Sequence, residues 1–392
     1  MNMKLLTRRE AIAAGAAPLR QEQNAARTEV RLPPHTELVN VLEFEEAAKI
    51  ALAPALYAIV AGSDRLGFER MTLRPRMFVD SAPLNLATDL FGDKMFAPIL
   101  VAPVAEQRRF HREGEFATVQ GAAAANTAVV ISSHSSYRLS EITAEAKTPL
   151  WYQAYLEDDA SASRAGIQEA VKAGCRALCL TVGRPTPDRR SSTAVIRPNW
   201  RAIDELRHGV TVPVVLKGVM TDADARTAVD RGLQGIVVSG GGAAVRPAPI
   251  EVLASVVDAV GARVPVLIDG SFRRGTDIIK ALALGARAAL VGRPAIWGLA
   301  AYGAEGVQAV LTTLQAELAR NLIVFGQGAI RAHPYLLDEM NALGEADRAR
   351  AHGDRTLRRG TAYWPRGKRF RFPARRCHLS APRAGHICGK RG

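Results

Sequence analysis

Cysteine, aromatic side chains and long apolar runs are all scarce in this chain, and each shortage excludes something. Four cysteines among 392 residues cannot frame a disulfide scaffold. Aromatics make up 6% and apolar residues 48%, the balance of a soluble globular chain. No run of about 18 apolar residues occurs, so no membrane span is expected. Acidic residues are missing from one end: Arg355 to Gly392 carries 12 Lys and Arg and no Asp or Glu, leaving 40 basic against 38 acidic residues elsewhere. The net charge of +14 therefore belongs to the tail, and the body is nearly neutral. Nucleic-acid binding needs a concentrated basic patch, so such a role would have to reside in that tail and is not expected of the body. Cys175 and Cys179 lie around an apolar strand and read as small buried side chains. Cys377, His378, His386 and Cys388 have a spacing that matches no common zinc module, and no metal site is expected.

What is present is organised around IDGSFRRGTDIIKALALGARAALVGRP, residues 268 to 294. Two apolar strands, Val264 to Ile268 and Ala288 to Val291, flank an amphipathic helix from Thr276 to Leu284. Asp269, Gly270, Arg273 and Arg274 follow the first strand; Gly292 and Arg293 follow the second. Glycines admit an anion to the backbone, helix N-termini offer free N–H groups and arginines offer forked donors, so the pattern reads as a phosphate cradle. Two such strand ends late in a chain fit strands 7 and 8 of a (β/α)8 barrel. The competing reading pairs the arginines with Asp269 and Asp277.

The rest of the chain supplies the other units. Further apolar strands are expected at Pro98 to Val101, Ala128 to Ile131, Leu150 to Tyr152, Ala177 to Leu180, Val214 to Leu216 and Gly235 to Val238. Each is short and continuous, as in parallel sheets covered on both faces. Ala-rich amphipathic patterns at Gly114 to Ala125, Ala160 to Ala173, Asp222 to Arg231 and Pro249 to Val260 alternate with them. The expected fold class is α/β, a single (β/α)8 TIM barrel over residues 31–345 with an N-terminal helical segment at 40 to 62. Leu73 to Val79 and Leu84 to Phe91 read as irregular approach segments, and Gly306 to Phe325 as a helix that seals the barrel. Residues 1–30, with Arg8 and Arg9 before a short Ala-rich run, read as a twin-arginine leader, which implies export to the periplasm; a cytoplasmic leader is the alternative. Residues 346–392 form a basic tail expected to be disordered.

Barrel chemistry sits at the C-terminal strand ends. There the chain places Pro103 and Val104, then Ser132, Ser133 and His134, then Gln153 and Tyr155, Thr181 and Arg190, Lys217, and Ser239 to Gly242. Amides, hydroxyls and one cation above a phosphate cradle suit a ring-bearing phosphate cofactor. The bland reading of Lys217 is a lysine paired with a carboxylate in the barrel mouth.

These residues also resemble a known family, the FMN-dependent α-hydroxy-acid oxidases and dehydrogenases that include glycolate oxidase, lactate oxidase and flavocytochrome b2. The likeness covers about residues 38 to 330 and rests on APVAEQ (102 to 107), HREGEFAT (111 to 118), ISS (131 to 133), WYQAY (151 to 155), LTV (180 to 182), VLKGVMTDADA (215 to 225) and the IDGSFRRGTD to VGRP segment. The resemblance implies FMN as cofactor. It sets Pro103, Val104 and Ala105 against the flavin, Ser132, Gln153 and Thr181 at its ring, and Lys217 beside N1 and O2. It puts Ser239 near the ribityl chain, and Asp269, Gly270, Arg273, Gly292 and Arg293 around the ribityl and phosphate. Val104 and Ser271 stand where the family has Thr and Gly.

The family's catalytic set does not carry over. Its Ser-Asn-His-Gly-Gly/Ala-Arg-Gln signature reads Ser239-Gly240-Gly241-Gly242-Ala243-Ala244-Val245 here, so the proton-accepting histidine falls on Gly241 and the carboxylate-clamping arginine on Ala244. The histidine's aspartate partner falls on Gly183, and the N-terminal active-site tyrosine on Ile59 with Tyr57 nearby. Tyr155 and Arg190 survive, and His134 replaces a tryptophan on the substrate side as a candidate base. The segment between the fourth and fifth strands is shorter than in the family. The implied function is oxidation of a small organic acid by electron transfer to FMN, with ordinary 2-hydroxy-acid turnover impaired. The alternative is a catalytically silent FMN-binding scaffold or flavin carrier. Oxygen, a quinone or a protein is the expected electron acceptor, and a homo-tetramer the expected assembly.

Overall fold

The computed structural model describes residues 31–73, 84–155, 160–182, 199–241 and 247–325. The leader at 1–30, the tail at 346–392 with Cys377, His378, His386 and Cys388, and the positions Gly183, Arg190 and 242–246 lie outside the described residues. Eight parallel strands close into a barrel: β1 Ile99–Val101, β2 Val129–Ser132, β3 Leu150–Tyr155, β4 Ala177–Thr181, β5 Val214–Val219, β6 Gly235–Val238, β7 Val266–Asp269 and β8 Ala288–Val291. Strand β8 pairs with both β7 and β1, which closes the ring. The helices on its outside are α1 Gly114–Ala124, α2 Leu139–Glu145, α3 Ala160–Lys172, α4 Trp200–Arg207, α5 Asp222–Asp230, α6 Pro249–Val260, α7 Gly275–Ala283 and α8 Arg293–Val324. Their starts follow local chemistry. The Asn199 side chain accepts from the Ala202 N–H, Thr221 caps α5 through the Asp224 N–H, and Glu251 reaches back to the Ala248 N–H.

Inward-facing side chains alternate along each strand and stack in layers. The lower layers are apolar and fully buried: Leu100, Val130, Trp151, Ala177, Cys179, Val215, Val237, Leu267, Ala288 and Leu290 share one cluster. Small residues on several strands surround the large Trp151 ring. Two residues further along, the same alternation carries Ser132, Gln153, Thr181, Lys217, Ser239 and Asp269 to the C-terminal end. The strand period thus converts an apolar plug into a polar floor.

Three expectations are corrected. The segment ending at Phe91 is not irregular: Thr88–Leu90 pairs antiparallel with Asp93–Met95, and this hairpin plugs the lower end of the barrel, with Leu90 and Met95 in the core and Phe91 5.6 Å from Trp151. Short strands with alternating polar residues hid it. The sealing helix begins at Arg293 rather than Gly306, and Gly303 breaks it into two arms at φ +60. Strands β3, β4, β5 and β7 run further than their apolar stretches, so Gln153, Tyr155, Thr181, Lys217 and Asp269 are strand residues and not loop residues. Helices Val41–Ala51 and Pro54–Val60 precede the barrel and pack on α8, where Phe44 meets Tyr302 edge-on at 6.1 Å and Trp297 Nε1 donates to the Val60 carbonyl at 2.8 Å.

Candidate functional site

The polar floor is a connected set. Lys217, 5% exposed, pairs with Asp269 at 2.8 Å and donates to the Ser239 hydroxyl at 3.0 Å. Ser239 in turn donates to Asp269 at 3.1 Å and accepts from the Gly241 N–H at 3.1 Å. Burial by itself would lower the Lys217 pKa, but the charge and hydrogen bond of Asp269, with smaller contributions from Cys179 and Tyr155, together outweigh it and the value is raised, so the ammonium is fully charged at neutral pH. The bland reading of Lys217 is thus realised as geometry, and the pair still places a fixed cation at the barrel mouth. On the neighbouring strands Gln153 Nε2 donates to Thr181 at 2.7 Å, while Gln153 Oε1 is buried without a partner. An unpaired buried acceptor is costly, and it fits a ligand that brings an N–H donor.

The cradle lies across the mouth. Arg273 is 2% exposed; its guanidinium stacks 4.4 Å over the Trp297 ring, Nη1 donates to the Phe272 carbonyl at 2.8 Å, and Nη2 is buried without a partner. Desolvation, with Arg293 as a neighbouring cation, lowers its pKa to about 10. Arg293 is also lowered by burial, against the pull of Asp269 and Glu45, and donates to the Ala61 carbonyl at 3.3 Å. A buried guanidinium that a neighbouring cation depresses and that keeps an idle N–H suits an anion. The competing reading does not describe Arg273, whose side chain forms no ion pair with Asp277: that carboxylate accepts from the backbone N–H groups of Arg273 and Arg274, both at 2.9 Å. Arg274 departs from the expected cradle, because its side chain turns away to Glu317 at 2.9 Å.

Above the floor stand Tyr155 and His134, with ring centroids 5.2 Å apart. Burial raises the Tyr155 pKa despite the opposing charge of Lys217, so its phenol stays protonated at neutral pH. His134 is half-buried and well positioned: its backbone N–H donates to Ser132 at 3.2 Å, its carbonyl accepts from the Glu106 N–H at 2.9 Å, and Nδ1 lies 3.3 Å from the Ser133 hydroxyl. Buried Glu115 braces both loops by accepting from the Gln107 and Ser136 N–H groups. Pro103, Val104 and Ala105 follow β1 at the same rim. Gly241, at φ +65, has open space around any added Cβ. Sequence reasoning missed Trp297, Arg65 and Glu45. Trp297 lies one helical turn after Arg293, which was the available signal.

A closed parallel barrel with a charged polar floor and a buried anion cradle defines a phosphate-cofactor barrel enzyme scaffold. The FMN-dependent dehydrogenase family matches residues 58–196 and 191–335, and the chain belongs to it. FMN is its cofactor. The chain is 35% identical over 338 residues to the peroxisomal (S)-2-hydroxyacid oxidase GLO4 of Arabidopsis thaliana, across 74% of this chain and 93% of that protein. It is likewise 35% identical to an L-lactate oxidase of a Nostoc species, across 74% of this chain and 94% of that one. The crystal structure of a mandelate oxidase with (S)-2-phenylpropionate superposes with a TM-score of 0.71 at 36% identity, covering 77% of this chain and 98% of that chain.

Proposed function

We propose that this chain oxidises a small organic acid at FMN held across the barrel mouth, through a substrate side that differs from the family's. The observation that carries this reading is the pair of idle buried atoms, Gln153 Oε1 and Arg273 Nη2, in the floor and the cradle around the charged Lys217. Arg273, Arg293, Gly270 and Gly292 would hold the phosphate, with Asp269 and Ser239 along the ribityl chain. Gln153, Thr181 and Ser132 would bond the ring edge, while Pro103, Val104 and Ala105 lie against it. When bound, FMN supplies a two-electron acceptor. Lys217 contributes a positive charge that favours the electron-rich form of the ring, and it does so without reorganisation because Asp269 and Ser239 already fix it. The protonated Tyr155 phenol donates to an oxygen of the substrate, and the His134 imidazole beside it takes the substrate's hydroxyl proton. Arg190 provides the remaining carboxylate contact by family resemblance.

Anaerobic mixing of the flavin-loaded protein with L-lactate, glycolate and mandelate tests this reading. Bleaching of the flavin absorbance by one acid is the expected result, and His134→Ala should then slow reduction by about 10²- to 10⁴-fold. Persistent yellow colour with every acid would support the second reading, a silent FMN-binding protein, which the bare backbone at Gly241 favours. The electron acceptor in this proposal is oxygen, a quinone or a protein, the assembly is a homo-tetramer, and the twin-arginine leader directs export.

A further inference from the structure

The segment between the helix Pro54–Val60 and the short helix Leu66–Glu69 lies against the cradle through a series of bonds. Val60 accepts from Trp297, Ala61 accepts from Arg293, the Ser63 hydroxyl meets the Ser271 hydroxyl at 2.7 Å, and Arg65 Nη2 donates to both oxygens of Asp277 at 2.9 Å. Two of these contacts are unusual. Ser271 holds φ +59, a left-handed conformation that is disfavoured for a non-glycine residue, so its hydroxyl is kept against a backbone penalty. Arg65 Nε is buried and has no partner, although Nη2 of the same guanidinium is committed to Asp277.

One oxygen of that carboxylate, Asp277 Oδ2, accepts from both Arg65 Nη2 and the Arg273 backbone N–H, so Arg65 stands beside the turn that presents Arg273. Two guanidiniums in this corner, Arg65 and Arg273, therefore each keep a buried N–H without an acceptor. Electrostatics agree, since Arg65 is among the cations that depress Arg273. Asp277, already shared by four N–H contacts, leaves both of these buried N–H groups without an acceptor, and the pull of Glu45 does not bring the Arg273 pKa back to its ordinary value. An added dianion supplies the acceptors.

We infer that Ser63, Ser271 and Arg65 are cofactor-binding residues, a strap from ahead of the barrel that completes the FMN phosphate site alongside Arg273 and Arg293. In this arrangement the hydroxyl pair exchanges its mutual bond for bonds to phosphate oxygens, and Arg65 remains on Asp277 while its Nε–H faces the anion. The inference rests on FMN occupying the cradle, and it concerns recognition of the phosphate rather than of the ring.

The test is titration of flavin-free protein with FMN and with riboflavin, which lacks the phosphate, read by quenching of flavin fluorescence. A hydrogen bond to a charged group contributes about 1.5–3 kcal/mol, so Arg65→Met should weaken FMN binding by roughly 10- to 100-fold. Riboflavin affinity should stay unchanged, and Arg65→Lys should recover part of the loss. Ser63→Ala, which leaves the Arg65–Asp277 pair in place, should weaken FMN by a smaller factor and also spare riboflavin. Equal losses for both flavins would overturn the inference by showing that the strap only supports the fold. No loss for FMN in either variant would overturn it as well. A wild-type chain that takes up neither flavin would sink the functional reading too, which separates the two failures.

Discussion

At the scale of single residues, Lys217 shows how one contact serves both folding and function. Its pKa is raised by Asp269 against the effect of burial, so the contribution of the pair is fully present below the unfolded lysine value of about 10.4 and is lost as pH rises through the higher folded value. Stability from this pair should therefore be flat through neutral pH and fall only under alkaline conditions. Lys217→Met leaves Asp269 without its cation and should cost about 3 kcal/mol at neutral pH, because breaking a buried pair strands the remaining charge. Urea denaturation of both proteins at neutral and alkaline pH checks this: the gap should narrow as pH rises. A gap independent of pH would contradict the ion-pair account. Arg273 has the opposite sign. Depressed to about 10, it penalises the folded state below that pH and relieves it above, but it is common to both proteins and cancels from their difference.

Elements are positioned by contacts that leave no room for a methyl group. In α8 the two arms on either side of Gly303 fold back so that Gly298 and Gly306 approach backbone to backbone, and a Cβ on either would meet the carbonyl of the other. Two effects compete in Gly306→Ala. Helix propensity favours alanine by up to about 1 kcal/mol, whereas overpacking costs about 1–3 kcal/mol and here involves backbone that cannot rotate away. Packing should win. The variant is expected to be destabilised by about 1–2 kcal/mol in urea denaturation, and a gain in stability would mean that the arms separate easily. The first arm carries Arg293 and Trp297 to the cradle, so this turn is part of the site's architecture. Its position was half legible: the Gly306 to Phe325 periodicity revealed the second arm, and Pro294 after Gly292 was the local signal that VGRP opens the first. The hairpin at Thr88–Met95 escaped because strands of three residues carry too little pattern to be separated from loop.

For the whole molecule, the buried and incompletely paired guanidiniums imply that the flavin-free protein is less stable than its core would allow. Ligand binding to the folded state alone adds about 2.7 kcal/mol at a concentration 100 times Kd. FMN should accordingly raise the melting temperature, and riboflavin at equal concentration should raise it less, because only FMN brings charge to Arg273 and Arg293. Differential scanning calorimetry with each flavin measures this, and equal shifts would argue that the phosphate lies elsewhere. The same logic applies to the amino-terminal helices. Residues 41–65 contribute no barrel strand, yet they reach α8 through Val60 and Ala61 and α7 through Arg65, so cofactor binding at the mouth and packing of this segment are linked.

Alternation and punctuation alone determined that this chain is a parallel α/β barrel with an anion cradle after its last two strands. Short apolar runs, glycines and paired arginines are local features, and they carry their meaning without knowledge of neighbours. Motifs at the strand ends likewise picked out the polar floor of the mouth, because a period of two places every second residue inward once the strand is known. Only the tertiary structure decided which cation does what. Arg273 and Arg274 are adjacent in sequence, but one is buried on Trp297 and the other turns out to Glu317. Arg65 joins the cradle from 212 positions away, through Asp277. Burial and ion pairing depend on what packs against a side chain from distant elements, and no local pattern encodes that.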